Sequence, residues 1–105
     1  MPTPVIVTAE FHPLPGRSDE VLEAIRAAIP AVHEEDGCIL YAINAADDGG
    51  LMMIEKWRDA ESLAAHAAGE PVERLNASLE GLVSEPATVL TFSPSPAGQE
   101  GKGAL

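Results

Sequence analysis

The sequence predicts an α+β domain whose elements run βαββαβ, and three observations carry that reading. Four short runs rich in β-branched and apolar residues, at 5–11, 38–43, 51–57 and 87–92, are each bounded by Gly, Pro or Asp. Apolar residues at helical spacing fill the stretch between the first and second runs and the stretch between the third and fourth. The second and third runs are joined only by Asp47-Asp48-Gly49-Gly50, residues that tolerate positive φ and so suit a hairpin.

Taken in order, residues 5–11 (Val-Ile-Val-Thr-Ala-Glu-Phe) read as a strand, closed by the prolines and glycine of His12-Pro13-Leu14-Pro15-Gly16. Ser18 is placed to cap a helix whose first turn carries Asp19 and Glu20, favourable near the positive end of the dipole. Val21, Ile25, Ile29 and Val32, with Leu22, form its stripe. Pro30 removes a backbone donor at a cost of about 3 kcal/mol in a helix interior, so a kink or restart is expected near Ala28. Asp36-Gly37 ends the segment.

The third strand, residues 51–57, places Leu51, Met53, Glu55 and Trp57 on one face by period-2 geometry. A lone carboxylate therefore shares a face with the only tryptophan, and that face is either a core with one misfit or a pocket wall. Asp59 suits an N-cap for the helix that follows. His66, seven residues beyond that cap and three beyond Leu63, can lie on the inward stripe. Gly69-Glu70-Pro71 breaks this helical region, which resumes with Val72, Leu75, Leu79 and Leu82. Pro86 precedes the fourth strand, and residues 93–105 hold three glycines and two prolines with little apolar content, as expected of an extended or disordered tail. Residues 1–92 then form a single domain.

This order is the ferredoxin-like, split βαβ arrangement, a four-stranded antiparallel sheet with helices on one face. Alternation predicts that Ile39, Tyr41 and Ile43 face opposite to Cys38, Leu40 and Ala42, and neither set is polar. Val5, Val7 and Phe11 likewise face opposite to Ile6. Helices cover one face of such a sheet, and a second copy related by a two-fold axis covers the other, so a homodimer is expected.

Composition excludes several classes. Seventeen acidic against six basic residues leave a formal charge of -11, which repels phosphate backbones and anionic lipid heads. Neither nucleic acid nor membrane is an expected partner. Cys38 is the single cysteine, and residues 1–10 show neither the basic region nor the apolar core of a secretory signal, so a cytoplasmic setting is expected. Dinucleotide fingerprint and P-loop are both absent, with Gly49-Gly50 in a hairpin context instead.

Each candidate site residue has a plainer reading beside the chemical one. Glu55, a carboxylate amid apolar neighbours, is paired with Arg74 or Arg58, exposed at an edge, or shifted upward in pKa. Trp57 is core or pocket wall; Tyr41 is an interface or core aromatic, or a donor in a site. His66 is a partly exposed helix histidine or a base, and Asn76 is solvent-facing or a site residue. His33 with Glu34, Glu35 and Asp36 reads as a solvated helix end, because the three histidines lack ligand spacing for a metal. Cys38 reads as a small core residue.

The runs Gly37-Cys38-Ile39-Leu40-Tyr41 and Glu55-Lys56-Trp57-Arg58-Asp59-Ala60-Glu61-Ser62-Leu63, with His66, resemble the antibiotic biosynthesis monooxygenase family of the dimeric α/β barrel superfamily. The resemblance covers residues 5–92. It implies a dimeric α/β barrel, formed by two sheets packed face to face, with a pocket in each subunit between sheet and helices. Several members oxygenate quinols or anthrones with molecular oxygen and no cofactor. In that chemistry His66 is the natural base, Trp57 would stack on the substrate ring, and Tyr41 or Asn76 would hold an oxygen, with Glu55 and Phe11 also at the binding site. Superfamily members that break open haem use an asparagine near the end of the first strand and a histidine on the last helical segment. Phe11 and Asn76 stand at those positions, which argues against haem degradation. A small carbonyl isomerase, or a dimer that binds a small hydrophobic molecule without turnover, would use the same pocket.

Overall fold

The computed structural model describes residues 3–105, so the start of the expected domain at residue 1 lies outside the described residues. The elements are β1 (Val5–Pro13), α1 (Ser18–His33), β2 (Cys38–Ala45), β3 (Leu51–Trp57), α2 (Ala60–Ala67), α3 (Glu70–Leu79) and β4 (Val83–Phe92). The four strands form one antiparallel sheet in the order β2-β3-β1-β4, the arrangement that the βαββαβ order implies.

Helices pack on one face of that sheet. Val7, Ala9 and Phe11 of β1 and Leu51, Met53 and Trp57 of β3 join Val21, Ile25 and Val32 of α1 and Leu75 and Leu79 of α3 in one core. Burying an aliphatic or aromatic side chain of this kind stabilises by about 1.5 to 3 kcal/mol, so the helices are held chiefly by their stripes. The third strand alternates buried and half-buried residues from Leu51 to Trp57, as period 2 requires.

Several boundaries differ from expectation, each for a local reason. Helix α1 runs without interruption through Pro30, which is exposed, while Val21, Ile25 and Val32 are wholly buried. The packing of that stripe outweighs one missing backbone hydrogen bond on the solvent side. Ser18 does not cap α1; it is the first helical residue, and its hydroxyl donates to the Gly49 carbonyl at 3.2 Å, tying the helix start to the β2–β3 hairpin. Strand β1 continues through His12 and Pro13, and β4 starts at Val83 and contains Pro86. Both prolines sit where the β1–β4 register shifts, and β4 is an edge strand that needs no donor on its outer side.

The register of β2 also shifts, between Cys38 and Leu40. Cys38 pairs with Trp57, Tyr41 with Glu55 and Ile43 with Met53, so these three share the helix-covered face, and the expected grouping of Cys38 with Leu40 and Ala42 is corrected. Ile39, left in the bulge, is 55% exposed. On the uncovered face lie Leu40 and Ala42 of β2, Ile54 of β3, Ile6 of β1, and Leu90 and Phe92 of β4. Ile6 is buried between its cross-strand neighbours Lys56 and Phe92, whereas Leu90 and Phe92 are 55% and 46% exposed.

Gly37, in the turn from α1 to β2, has φ of +84°. A Cβ there would collide with Ser62 of α2, a buried residue whose backbone N–H is held by Asp59. Gly37→Ala combines a left-handed backbone with an overlap, each worth about 1 to 3 kcal/mol. A loss of about 2 to 4 kcal/mol in the urea unfolding free energy is expected, whereas a variant as stable as wild type would show that the turn relaxes freely.

Candidate active site

Three local features of the chain build the site. Period 2 along β3 aims Glu55 and Trp57 into the helix-covered face two residues apart. Asp59, in extended conformation, accepts the Ser62 N–H at 2.8 Å and starts α2 as the expected N-cap, turning the chain back over the sheet. Seven residues on, His66 arrives above the indole, with the two rings stacked at 4.4 Å between centroids and 30° between planes. Tyr41, brought opposite Glu55 by the β2–β3 register, meets His66 edge-on at 5.4 Å and Trp57 at 6.5 Å.

Polar atoms in this cluster are matched one to another. The Trp57 indole N–H donates to Glu55 Oε1 at 2.9 Å, and the same oxygen lies 3.9 Å from His66 Nε2. On the other side of the imidazole, Nδ1 lies 3.0 and 3.2 Å from the two oxygens of Glu35. Glu55 pairs with neither Arg58 nor Arg74 among the described residues; Arg58 is engaged by Asp36 and Asp59, and Arg74 by Glu70. That expectation is corrected, because a β3 side chain two residues before Trp57 points inward, away from both guanidinium groups.

Burial pushes the Glu55 carboxyl above its ordinary range, against the pull of the Trp57 hydrogen bond and the nearby imidazole, and Glu35 adds to the rise. Burial, with Glu55 and Glu35 behind it, drives the Tyr41 phenol strongly upward. Tyr41 therefore stays protonated at neutral pH, with an O–H available to donate. Its hydroxyl bonds no protein group among the described residues. The Cys38 thiol is likewise pushed up by burial and behaves as a neutral core side chain.

A cavity of about 190 Å³ opens between sheet and helices, and Phe11, Tyr41, Glu55, His66 and Asn76 all line it. The rest of its wall is apolar, from Val7 and Leu63 to Val89. Five of the six expected site residues are thus brought together. The sixth, Trp57, is wholly buried beneath the imidazole and does not line the cavity. His66 occupies the indole face that was expected to meet a substrate ring, and the indole N–H holds Glu55. Asn76 is exposed, as expected, but stands at the rim, where the cavity meets a cleft of about 480 Å³ that shares Phe11, Asn76 and Ala87. Glu35 was expected only as part of a solvated helix end; nothing in its local sequence signals that α1 ends against His66, 31 residues away.

Comparison with known proteins bears on the family and the fold. The family model described as antibiotic biosynthesis monooxygenase matches residues 4–78, a span that includes every candidate site residue. Over 95 residues the chain is 30% identical to Rv0793 of Mycobacterium tuberculosis, whose monooxygenase name is provisional, covering 90% of this chain and 94% of that protein. The solved structure of Rv0793 is similar with a TM-score of 0.80 at 26% identity, over 93% of this chain and 99% of that one. PA3566 from Pseudomonas aeruginosa is similar with a TM-score of 0.79 at 26% identity, over 89% and 95% of the two chains.

Glu55 makes a pH test available. A carboxyl whose folded pKa is raised above its ordinary value of 4.5 binds more protons folded than unfolded, so its contribution to stability is present below 4.5 and is lost as pH rises through the folded value. Glu55→Gln keeps an acceptor for the indole N–H and removes this titration. The stability of wild type relative to Glu55→Gln, from urea melts at a series of pH values, is expected to fall as pH rises from about 4.5 towards neutrality. A difference that stays flat, or grows in favour of wild type, would show that the carboxyl is not raised.

Proposed function

This chain belongs to the antibiotic biosynthesis monooxygenase family, and from that premise we propose that it is a cofactor-independent monooxygenase acting on a small hydroxylated aromatic, of quinol or anthrone type, with molecular oxygen. The observation that carries the reading is the convergence of His66, Tyr41, Glu55 and Asn76 on one otherwise apolar cavity. In this reading His66 removes a proton from a substrate hydroxyl. The electron-rich anion then gives an electron to dioxygen, and the two radicals combine at a ring carbon. One oxygen atom stays on the ring and the other leaves as water, taking back the proton that His66 held. For a quinol going to a hydroxyquinone, all four electrons come from the substrate, so the balance closes without flavin, haem, metal or external reductant.

The remaining residues divide the work. Tyr41, held in its protonated form, donates to the substrate oxygen on which negative charge gathers, and Asn76 offers an amide at the rim. Phe11 and the aliphatic wall keep water from the anion and supply packing for the ring. A chamber of about 190 Å³ suits one or two fused rings, with larger substrates reaching into the adjoining cleft. The same small chamber favours one second reading, a proton shift in a small carbonyl compound, because such a reaction also needs only a base and an oxyanion donor. A cytoplasmic location goes with either reading, since Cys38 has no partner within the chain for a disulfide.

Oxygen uptake with a panel of quinols and anthrones tests the main reading. General acid–base assistance is typically worth about 10² to 10⁴ in rate, so His66→Ala should lose that order of turnover. Equal rates in the two proteins would remove His66 from the mechanism, and turnover that persists without oxygen would favour the isomerase.

The protein is, in the same proposal, a homodimer closed through the uncovered sheet face. What supports this is the apolar set Leu40, Ile54, Leu90 and Phe92 on a face that no helix covers. Light scattering at micromolar concentration is expected to give twice the chain mass, and Leu90→Asp should shift it towards one chain. A wild-type monomer at that concentration would refute the dimer.

A further inference from the structure

We infer that Glu35 is a positioning residue for His66, holding the imidazole in the form that carries its proton on Nδ1 and presents a bare Nε2 to the cavity. The inference rests on the reading of His66 as the base.

His66 is a wall between two spaces. It lines the apolar cavity and also, on its far side, a polar recess of about 300 Å³ lined by Glu35, Asp36, Arg58, Glu61 and Ser62. Glu35 reaches the ring from that recess. Its backbone is pinned on both sides, with its N–H donating to the Val32 carbonyl at 3.0 Å and its carbonyl accepting from Cys38 at 3.2 Å. The side chain therefore starts from a fixed point, and both its oxygens lie within hydrogen-bond distance of Nδ1. Arg58, the only lysine or arginine lining the recess, is taken by Asp36 at 3.0 Å and Asp59 at 3.2 Å, so it does not compete for Glu35.

A carboxylate only accepts hydrogen bonds, so Nδ1 must donate and carry the hydrogen. In the neutral ring Nε2 is then the lone-pair nitrogen, because the partner of one nitrogen decides the state of the other. On that side the nearest charged group is Glu55, whose Oε1 at 3.9 Å is too distant to take a hydrogen bond and leaves Nε2 open. The other groups facing the ring are the Tyr41 phenol from β2 and the uncharged Asn76 from the α3 side of the cavity. When the substrate O–H breaks and an Nε2–H bond forms, the Nδ1–H bond is kept, and the imidazolium lies between Glu35 and Glu55. Without Glu35 the ring would have no acceptor at Nδ1, and the hydrogen could sit on Nε2, where it blocks the base.

Two-bond ¹⁵N–¹H correlation spectra of the imidazole decide this without any substrate. In wild type the neutral His66 ring should show its hydrogen on Nδ1, and in Glu35→Ala it should move to Nε2. In the oxygen-uptake assay Glu35→Ala should lose about ten- to a hundredfold in turnover, the range typical for a partner that orients a functional histidine from behind. Retention of a dispersed spectrum and of Trp57 fluorescence checks that the variant is folded. A wild-type ring with its hydrogen on Nε2, or a ring unchanged in Glu35→Ala, overturns the inference, and the wild-type spectrum alone suffices should the variant not fold. Absence of oxygen uptake with every substrate would strike the proposed function and leave the tautomer result standing, so the two failures are distinguishable.

Discussion

A carboxylate on the buried face of a central strand is the constraint on which the rest of this structure depends. Glu55 lies between Met53 and Trp57, both wholly buried, and a lone charge in such a place costs several kcal/mol unless its oxygens find partners. The chain answers locally first. The indole N–H two residues along the same strand face takes one oxygen, and the imidazole delivered by α2 stands over that indole with a nitrogen facing the same oxygen. Placement of α2 is thus not only a matter of apolar packing. Its N-cap at Asp59 sets where the helix begins, and its length sets where His66 falls, over the indole that holds Glu55.

This constraint also explains why the site holds a small set of polar groups inside an apolar shell. Two of its ionisable side chains are shifted by their surroundings: Tyr41 is kept protonated by burial and two nearby carboxylates, and Glu55 is raised by burial. The two faces of the sheet differ in kind. The helix-covered face holds the polar cluster and its cavity, and the other leaves Leu90 and Phe92 exposed.

How far this could be read from the chain depends on the range over which each feature is determined. The third strand, the Asp59 cap and the turn through Asp47 to Gly50 were legible because period, cap and turn chemistry act within a few residues. The pairing of Tyr41 with Glu55 follows once the hairpin is known. The bulge at Ile39 was not legible, since nothing in Cys38-Ile39-Leu40 breaks the alternation, and it returned Cys38 to the side of Tyr41. Pro30 and Pro86 misled for a shared reason: proline rules mark where a hydrogen bond is lost, while tertiary packing decides whether the element tolerates the loss. Trp57 lies on the expected face yet beneath His66 instead of beside the cavity, because strand periodicity fixes a face and says nothing of what lies on top of it. Glu35 was missed because its partner is 31 residues away, across a contact made only when α1 ends against α2.

Glu55, His66 and Glu35 stand where apolar side chains would also pack. A cluster of Glu55, His66 and Glu35 contributes little net stability, since desolvation offsets much of what the pairings return, and apolar side chains of similar volume at such positions are often neutral or stabilising by about 1 to 4 kcal/mol. Packing of β3 against α2 would not need them; Met53, Leu51 and Leu75 show the apolar solution on neighbouring positions of the same core. Two carboxylates instead flank one imidazole, one of them paired with an indole that itself stacks on the ring, beside a largely apolar cavity. The chain keeps a costly polar cluster where a cheaper apolar one would fold, so the needs of folding do not account for it.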